Sequence, residues 1–266
     1  MTAQQEAGPD TDAHAPSVAP VQSVARAFEL LEVIADDGGV TNLSDLARHV
    51  GLPLGTIHRL LRTLVDLGYL RQQPSREYAL GPRLIRLGET SSQLVGPWAR
   101  PYLASLVDEL GETANLAMLD GDQIVYVAQV PSRHSMRMFT EVGKRVSPHC
   151  TAVGKAMLSS LPAGQVEAIL RTSEMQRYTD TTITDPAALA DQLEVVRDNG
   201  YATDEGEKET GVRCLAVPVL GAPARMAMSI SGPAPRMTDS LVKRAVPVLQ
   251  STARALAADL TGRPGR

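Results

Sequence analysis

Apolar residues recur at three- and four-residue intervals in three segments between residues 22 and 67. This spacing places them on one side of a helix, so the pattern predicts three amphipathic helices. Asn42 and Asp45 fit a capping box at the start of the second helix, and Gly51 fits the cap at its end. The three apolar stripes are Val24, Phe28, Leu31 and Ile34; Leu43, Leu46, Ala47 and Val50; and Ile57, Leu60, Leu61 and Leu64.

A short hairpin is predicted directly after the third helix. Residues 68–73 and 77–80 have the composition of two strands, and Pro74-Ser75-Arg76 between them is typical of a turn. Three helices followed by a hairpin is the order of a winged helix-turn-helix, whose recognition helix enters the major groove of DNA. We place the helix-turn-helix at about residues 43–62.

The charge of this segment agrees with a DNA-binding role. From Leu46 to Val65 there are three arginines, two histidines and no acid. Arginine suits contacts to both phosphate and guanine because its donors form a rigid fork. An ordinary pair of solvated helices is the alternative interpretation. The residues predicted to contact DNA are Thr56, His58, Arg59, Arg62 and Thr63 on the third helix, and Arg71 and Arg76 on the wing.

The rest of the chain predicts a second domain of class α+β. Gly81-Pro82 breaks the pattern, residues 83–95 fit a linker helix, and Gly96-Pro97 opens a new region. Antiparallel hairpins with helices outside them are typical of α+β folds. The expected strands are 113–119, 123–130, 136–139, 214–220 and 225–231, and the expected helices are one ending at Gly111, then 152–161, 164–171, 186–199 and 239–261.

Composition and charge narrow the class of protein. The 266 residues are 43% hydrophobic and 21% charged, which is ordinary for a globular protein. A formal net charge of −4 argues against a general nucleic-acid coat protein and is compatible with a sequence-specific reader. Residues 1–20 carry three acids, three prolines and no lysine or arginine, which predicts a disordered tail. With no apolar run long enough to span a bilayer, and two distant cysteines, we expect a cytoplasmic protein with free thiols.

Over nearly its whole length the chain resembles the IclR family of bacterial transcription regulators. The segments that carry the resemblance are VQSVARAFELLE from Val21, NLSDLARHVGLPLGTIHRLLRTLVDLGYL from Asn42, YALGPRLIRLG from Tyr78, HCTAVGKAML from His149, NGYATDEGE from Asn199, TGVRCLAVPV from Thr210 and SISGP from Ser229. The resemblance implies a tail at 1–20, a winged helix-turn-helix at 21–82, a linker helix at 83–96 and a GAF-like effector-binding domain with an antiparallel sheet at 97–264. It also implies homodimers or dimers of dimers on palindromic operator DNA. One departure is Leu54-Gly55, where members of the family often carry Lys-Ser, so this chain lacks one lysine that contacts phosphate in similar proteins.

The resemblance also implies a ligand site on the concave side of the effector sheet. It assigns Thr151, Ala152, Val153, Gly154, Asp204, Cys214, Ser229 and Ser231 to that site. Backbone N–H groups at a helix start attract anions, and Ser229 and Ser231 face the same side of a strand. Similarity to allantoin-pathway, glyoxylate-responsive repressors favours a small carboxylate as the effector. No cofactor and no metal are expected, and the chain is interpreted as a repressor rather than an enzyme.

Other functions are compatible with the residues alone. The regulator is alternatively an activator, or it responds to metal or oxidation through Cys150 and Cys214. A cysteine hydrolase would combine Cys214 with His149 and Asp204, and it requires a neighbouring base to form the thiolate. Simple strand alternation would explain the two serines, and Cys214 would equally fit a buried apolar position.

Overall fold

A computed structural model describes residues 21–262, apart from the side chains of residues 92 and 93. The predicted tail at residues 1–20 therefore lies outside the described residues. The chain divides into two compact units, the first ending at Thr90 and the second beginning at Ser91. Within the described range, no helix is long and apolar enough to cross a membrane.

The first unit consists of three helices and a small antiparallel sheet. The Asn42 side chain accepts the N–H of Asp45 at 3.0 Å, and Gly51 ends the second helix with a φ of 60°, as the capping pattern predicts. The elements are α1 (Gln22–Asp36), β1 (Val40–Thr41), α2 (Leu43–Val50), α3 (Leu54–Asp66), β2 (Leu70–Gln72) and β3 (Tyr78–Leu80). The sheet has the order β1-β3-β2, in which β1 is a strand that the sequence pattern missed.

The core of this unit corrects the predicted apolar stripe of α1. Leu31 and Ile34 are buried as expected, and Leu30 joins them. Val24 and Phe28 do not, since they remain 53% and 61% exposed. Apolar residues on α1 therefore form two faces, one packed against α2 and α3 and one open, and helical spacing alone does not distinguish these faces. The predicted stripes of α2 and α3 contribute Leu46, Ile57, Leu61 and Leu64 to the buried core.

The predicted break at Gly96-Pro97 is wrong, because one helix, α4 (Arg83–Leu110), runs through it. Pro97 and Pro101 both lie inside this helix, where each removes a backbone donor. From Ser91 onward its apolar stripe is buried against the sheet of the second unit, and this burial offsets the cost of the two prolines. The stripe consists of Val95, Ala99, Leu103, Leu106 and Leu110.

The second unit is built on a six-stranded antiparallel sheet. Its elements are β4 (Thr113–Asp120), β5 (Gln123–Val130), β6 (Arg145–Val146), α5 (Ala152–Ser159), α6 (Ala163–Thr172), α7 (Pro186–Asn199), β7 (Ala202–Glu205), β8 (Val212–Pro218), β9 (Met226–Pro233) and α8 (Asp239–Leu260). The strand order is β6-β5-β4-β9-β8-β7, and the two edge strands β6 and β7 were not predicted. The bounds of the other helices and strands agree closely with the sequence pattern, except that the strand expected at 136–139 is absent and that segment is irregular.

The two faces of this sheet have different partners. Leu116, Met228 and Ile230 face one side, where α4 and α8 cover them. The neighbouring positions Ala117 and Ala227 face the other side, which is covered by α5. The small side chains of these alanines let α5 approach the sheet closely. Buried polar residues, among them Asn115, Ser229 and Ser231, interrupt the apolar surface of this inner face. The architecture is therefore the expected mixed α+β fold, with the sheet between two helical layers.

Candidate functional site

The exposed side of α3 carries the arginines that the sequence predicted to contact DNA. Arg59 and Arg62 lie opposite the buried side chains Ile57, Leu61 and Leu64, because successive helical residues turn by about 100°. Both arginines are exposed, and no ion pair among residues 21–262 involves either of them. An arginine without an acidic partner keeps all of its donors available for phosphate or base edges.

The other predicted contact residues of α3 differ in their surroundings. His58 is exposed, whereas Thr56 is half-buried at the start of the helix. The Thr63 hydroxyl donates to the carbonyl of Arg59 at 3.0 Å. Thr63 also lines an apolar groove, so it lies to the side of the arginine face rather than at its centre.

The wing places a strained arginine at its tip. Arg76 has a φ of 69°, the single left-handed residue other than glycine in the described chain. Its N–H donates to the Gln73 carbonyl at 2.9 Å, which closes the turn between β2 and β3. A glycine would adopt this backbone conformation without strain. Arg71 on β2 is also exposed, so the wing presents two cations to solvent.

A small cavity on the inner face of the second unit collects much of the predicted effector site. Strand register explains the convergence, because Asp204 pairs with Cys214 across β7 and β8, and Cys214 pairs with Ser231 across β8 and β9. The cavity volume is about 150 Å³. Its lining residues are Tyr126, Met138, Phe139, Thr140, Lys144, Val146, Thr151, Asp204, Lys208, Glu209, Val212, Cys214 and Ser231.

Four of the eight predicted effector residues line this cavity, namely Thr151, Asp204, Cys214 and Ser231. Ser229 lies on β9 two residues before Ser231 and does not line the cavity. The side-chain amide of Asn115 donates to Ser229 Oγ at 3.4 Å and to Ser231 Oγ at 3.3 Å. Gln129 in turn donates to Asn115 Oδ1 at 3.0 Å. A buried polar network thus lies behind Ser231, and the Ser231 hydroxyl also forms a hydrogen bond with the side chain of Cys214.

The remaining three predicted residues, Ala152, Val153 and Gly154, form the first turn of α5. The Thr151 hydroxyl caps this turn by accepting the N–H of Gly154 at 3.2 Å. The N–H groups of Ala152 and Val153 have no acceptor within the helix, as is general for a first turn. Thr151 lines the cavity, whereas Ala152, Val153 and Gly154 do not. N–H groups in the first turn of a helix attract anions in general.

A buried ion pair joins α5 to the loop after β7. Lys155 is fully buried, and its ammonium pairs with Glu207. The second carboxylate oxygen of Glu207 has no hydrogen-bond partner among the residues that the structure describes. Sequence reasoning did not predict this pair, nor did it predict Tyr126 and Lys208 at the cavity. Helical spacing places Lys155 on α5, but it does not reveal the loop that covers it.

The electrostatics of the cavity centre on Asp204. Burial, together with the charge of the neighbouring Glu207 carboxylate, raises the pKa of Asp204 to about 6, although the N–H of Glu207, which donates to Asp204 at 2.7 Å, opposes this shift. Lys155 also opposes it. Burial likewise raises the pKa of the Tyr126 phenol, which therefore keeps its proton.

Replacing Asp204 with asparagine is expected to remove a pH dependence of stability. The native state binds this proton more tightly than the unfolded chain, whose Asp pKa is 3.8. The contribution of the protonated Asp204 carboxyl to the stability of the native state is therefore complete below pH about 4 and is lost as the pH rises through about 6. The test measures the free energy of unfolding of the wild type and of Asp204→Asn in urea. Between pH about 4 and 7, the wild type should lose on the order of 2 kcal/mol of this free energy relative to the variant. Asp191→Asn, on an exposed position of α7, is the matched control for the substitution of aspartate by asparagine.

The two cysteines have the properties of buried thiols rather than nucleophiles. Burial raises the pKa of Cys150 to about 12 and that of Cys214 to about 12, with the Asp204 charge adding to both. A nucleophilic cysteine needs the opposite shift. Within residues 21–262, no three His, Cys, Asp or Glu side chains are grouped so that they could hold a metal ion.

Comparison with known proteins identifies the family from both units. The model of the IclR helix-turn-helix domain matches residues 23–74, and that of the bacterial transcriptional regulator IclR C-terminal domain matches residues 90–258. The chain belongs to the IclR family. The transcriptional repressor IclR of Escherichia coli is 36% identical over 237 residues, covering 86% of each chain. The regulator BhcR of Paracoccus denitrificans is 34% identical over 241 residues, covering 89% of this chain and 86% of the relative.

A solved IclR-family structure supports the same assignment. The IclR protein of Thermotoga maritima superposes with a TM-score of 0.61 at 27% identity, covering 91% of this chain and 99% of that one. The IclR-family match gives the two units their roles, since the first is the DNA-binding helix-turn-helix domain and the second is the C-terminal domain of the family. The chain is accordingly a DNA-binding transcriptional regulator and not an enzyme.

Proposed function

We propose that this IclR-family regulator is a repressor that binds a palindromic operator as a homodimer or dimer of dimers and is controlled by a small carboxylate, such as glyoxylate. The observation that carries the proposal is the convergence of Thr151, Asp204, Cys214 and Ser231 on one cavity. These residues come from β7, β8, β9 and the cap of α5, so only the folded domain assembles them.

The size of the cavity supports a small acid over an aromatic one. Its volume is about 150 Å³, and an apolar cavity of roughly this volume accommodates benzene. An acid with five or six heavy atoms fits such a space, whereas a benzoic acid with substituents requires it to expand. The polar groups also match, because the first turn of α5 attracts the carboxylate and Ser231 can donate to a second oxygen.

An open apolar groove in the DNA-binding unit supports self-association. Phe28 on α1, Leu67 after α3 and Leu87 on α4 line it and are each at least 47% exposed, and the groove volume is about 530 Å³. Its lining is almost entirely apolar, so it suits a protein surface better than a small acid. A second copy bound there would present two recognition helices to two operator half-sites.

The ligand would act by favouring one arrangement of the paired DNA-binding units over another. The helix α4 runs across the boundary between the two units of each chain, so it is the covalent route for this coupling. A ligand shifts the equilibrium only by the difference between its affinities for the two arrangements. Release of DNA on ligand binding is the behaviour that the proposal requires.

Separate replacement of the two serines of β9 tests the site. Ser231→Ala is expected to weaken glyoxylate binding about tenfold, because a donor to a charged oxygen is lost. Ser229→Ala is the matched control, and its expected effect is about threefold or less, since Ser229 lies outside the cavity lining.

The experiment uses fluorescence anisotropy with a duplex that the wild-type protein selects from a random pool. Glyoxylate, pyruvate and glycolate are titrated into the preformed complex, and both variants must bind the duplex as tightly as the wild type does. Wild-type complexes that none of the three acids dissociates would contradict the effector class. Equal loss of response in both serine variants would move the site away from the cavity.

A further inference from the structure

Lys208 lies where the loop after β7 meets the effector cavity. Its side chain lines the cavity and is half-buried. The ammonium lies 3.0 Å from the centroid of the Tyr178 ring, in the position of a cation–π interaction. No ion pair among residues 21–262 involves Lys208, whereas the nearby Lys155 is neutralised by Glu207. Lys208 is therefore a cation at the cavity whose charge is not offset by an acid in direct contact.

The backbone that carries Lys208 is fixed by hydrogen bonds on both sides of the preceding residue. The Glu207 N–H donates to Asp204 at 2.7 Å, and the Glu207 carbonyl accepts from the Thr182 hydroxyl at 2.6 Å. The Thr179 hydroxyl donates to the Gly206 carbonyl at 2.8 Å. These contacts limit the positions that the Lys208 side chain can reach, so this side chain loses little conformational entropy when a ligand binds.

Tyr178 is also held in place, although its side chain lies at the surface. Its N–H donates to the Thr182 hydroxyl at 3.0 Å, and its phenol lies 3.3 Å from Ser147 Oγ. Its ring stacks on that of His149 with 6.3 Å between centroids. His149 is fully buried, and its Nε2 lies 3.0 Å from the Gln176 carbonyl. The ring face beneath Lys208 is thus set by a buried aromatic neighbour.

We propose that Lys208 recognises the negative charge of the effector and that Tyr178 is the positioning residue that holds the Lys208 ammonium at the cavity. The inference rests on the proposed function, because it assigns charge selectivity to the same effector site. The ring occupies one side of the ammonium, and the N–H donors on the other sides are free to reach an anionic oxygen. The consequence is a site that prefers an acid to its neutral amide of equal size.

A second lysine at the cavity provides a matched comparison. Lys144 also lines the cavity but is exposed, so water screens its charge. Lys208→Met is expected to weaken acid binding about tenfold or more and to leave amide binding unchanged. Lys144→Met is expected to change acid binding by about threefold or less. Lys208→Arg keeps a cation over the ring and should retain most of the affinity.

The positioning role of Tyr178 is tested by two substitutions, one of which keeps an aromatic ring while the other removes it. Tyr178→Phe keeps the aromatic face and should bind the acid nearly as the wild type does. Tyr178→Leu removes the face and should reduce the preference for the acid over the amide. A purely structural role for Tyr178 would weaken acid and amide binding equally, and that outcome would overturn its assignment as the positioning residue.

The measurement is isothermal titration calorimetry of the full-length protein with glyoxylate and pyruvate, followed by the amide of the tighter binder. If Lys208→Met binds the acid with unchanged affinity, or loses acid and amide affinity equally, Lys208 does not read the charge. If neither acid binds the wild type, the small-carboxylate assignment itself fails and this inference fails with it. Operator binding by every variant confirms that the chains are folded.

Discussion

Replacement of Arg59 and Arg62 together with alanine is expected to reduce operator affinity about a thousandfold. Both side chains are exposed on the face of α3 opposite its buried stripe, where a recognition helix meets the major groove. Each arginine contact to a base edge is worth about 1–3 kcal/mol, and a dimer presents each arginine twice. Taking the lower value for four side chains gives a loss of about 4 kcal/mol.

The test compares Arg59→Ala/Arg62→Ala with Arg86→Ala in anisotropy titrations of the selected duplex. Arg86 is an exposed arginine of the same unit but lies on α4, so its removal shows the effect of losing one positive charge away from α3. Melting temperature and glyoxylate binding should be the same in the wild type and in both variants, because the arginines of α3 make no ion pair with any residue between 21 and 262. Tight operator binding by the double variant would exclude this face of α3 as the DNA-reading surface.

The salt dependence of the same titrations separates two kinds of contact. Loss of a phosphate contact reduces the slope of log affinity against log salt by about 1, whereas loss of a base contact lowers affinity with a smaller change of slope. Single variants of Arg71 and Arg76 on the wing are expected to change mainly the slope. The strained backbone of Arg76 supports a role for this side chain, because glycine would relieve the strain.

The sequence predicted the helices of the DNA-binding unit well because local signals specify them. Asn42 and Gly51 mark the ends of α2 by their own hydrogen bonding and backbone conformation. The same local pattern failed for Phe28, since an apolar residue at helical spacing packs either in the core or in a surface groove. That choice depends on the positions of α3 and α4, which no local pattern contains.

The candidate effector site shows a similar division between local and long-range information. Alternation along β9 correctly places Ser229 and Ser231 on one face. The register between strands decides which of them reaches the cavity, and it depends on pairings between residues far apart in the chain. Lys208 and Tyr178 are thirty residues apart in the chain, and each lies outside the helices and strands, so sequence spacing gave no reason to pair them.

Gly154 is the position where the structure most changes the meaning of a predicted residue. The resemblance implied a ligand-binding role in the first turn of α5, but the structure gives Gly154 a packing role as well. A Cβ built there would lie 2.5 Å from the Cα and 2.7 Å from the carbonyl carbon of Pro148. Backbone atoms cannot move away as a flexible side chain can, so only glycine allows α5 to approach this closely.

Gly154→Ala is therefore expected to destabilise the protein by about 3 kcal/mol and to lower the melting temperature by roughly 6–12 °C. An ordinary glycine inside a helix gives the opposite result, since alanine there is favoured by about 0.5–1 kcal/mol. Gly164→Ala on α6 provides that comparison, because a Cβ at Gly164 meets nothing within 4 Å. Gly164→Ala should melt at or slightly above the wild-type temperature.

The two glycine variants, Gly154→Ala and Gly164→Ala, also test whether the packing of α5 affects ligand binding. Gly154→Ala must displace the first turn of α5, and with it the Thr151 cap at the edge of the cavity. Glyoxylate should then bind at least about tenfold more weakly at a temperature where the variant is still folded, while operator binding persists. Thermal melts followed by circular dichroism, with calorimetry at low temperature, measure both effects. A Gly154→Ala protein that matches Gly164→Ala in melting temperature would mean that α5 and the Pro148 backbone are not in the close contact from which this loss is derived.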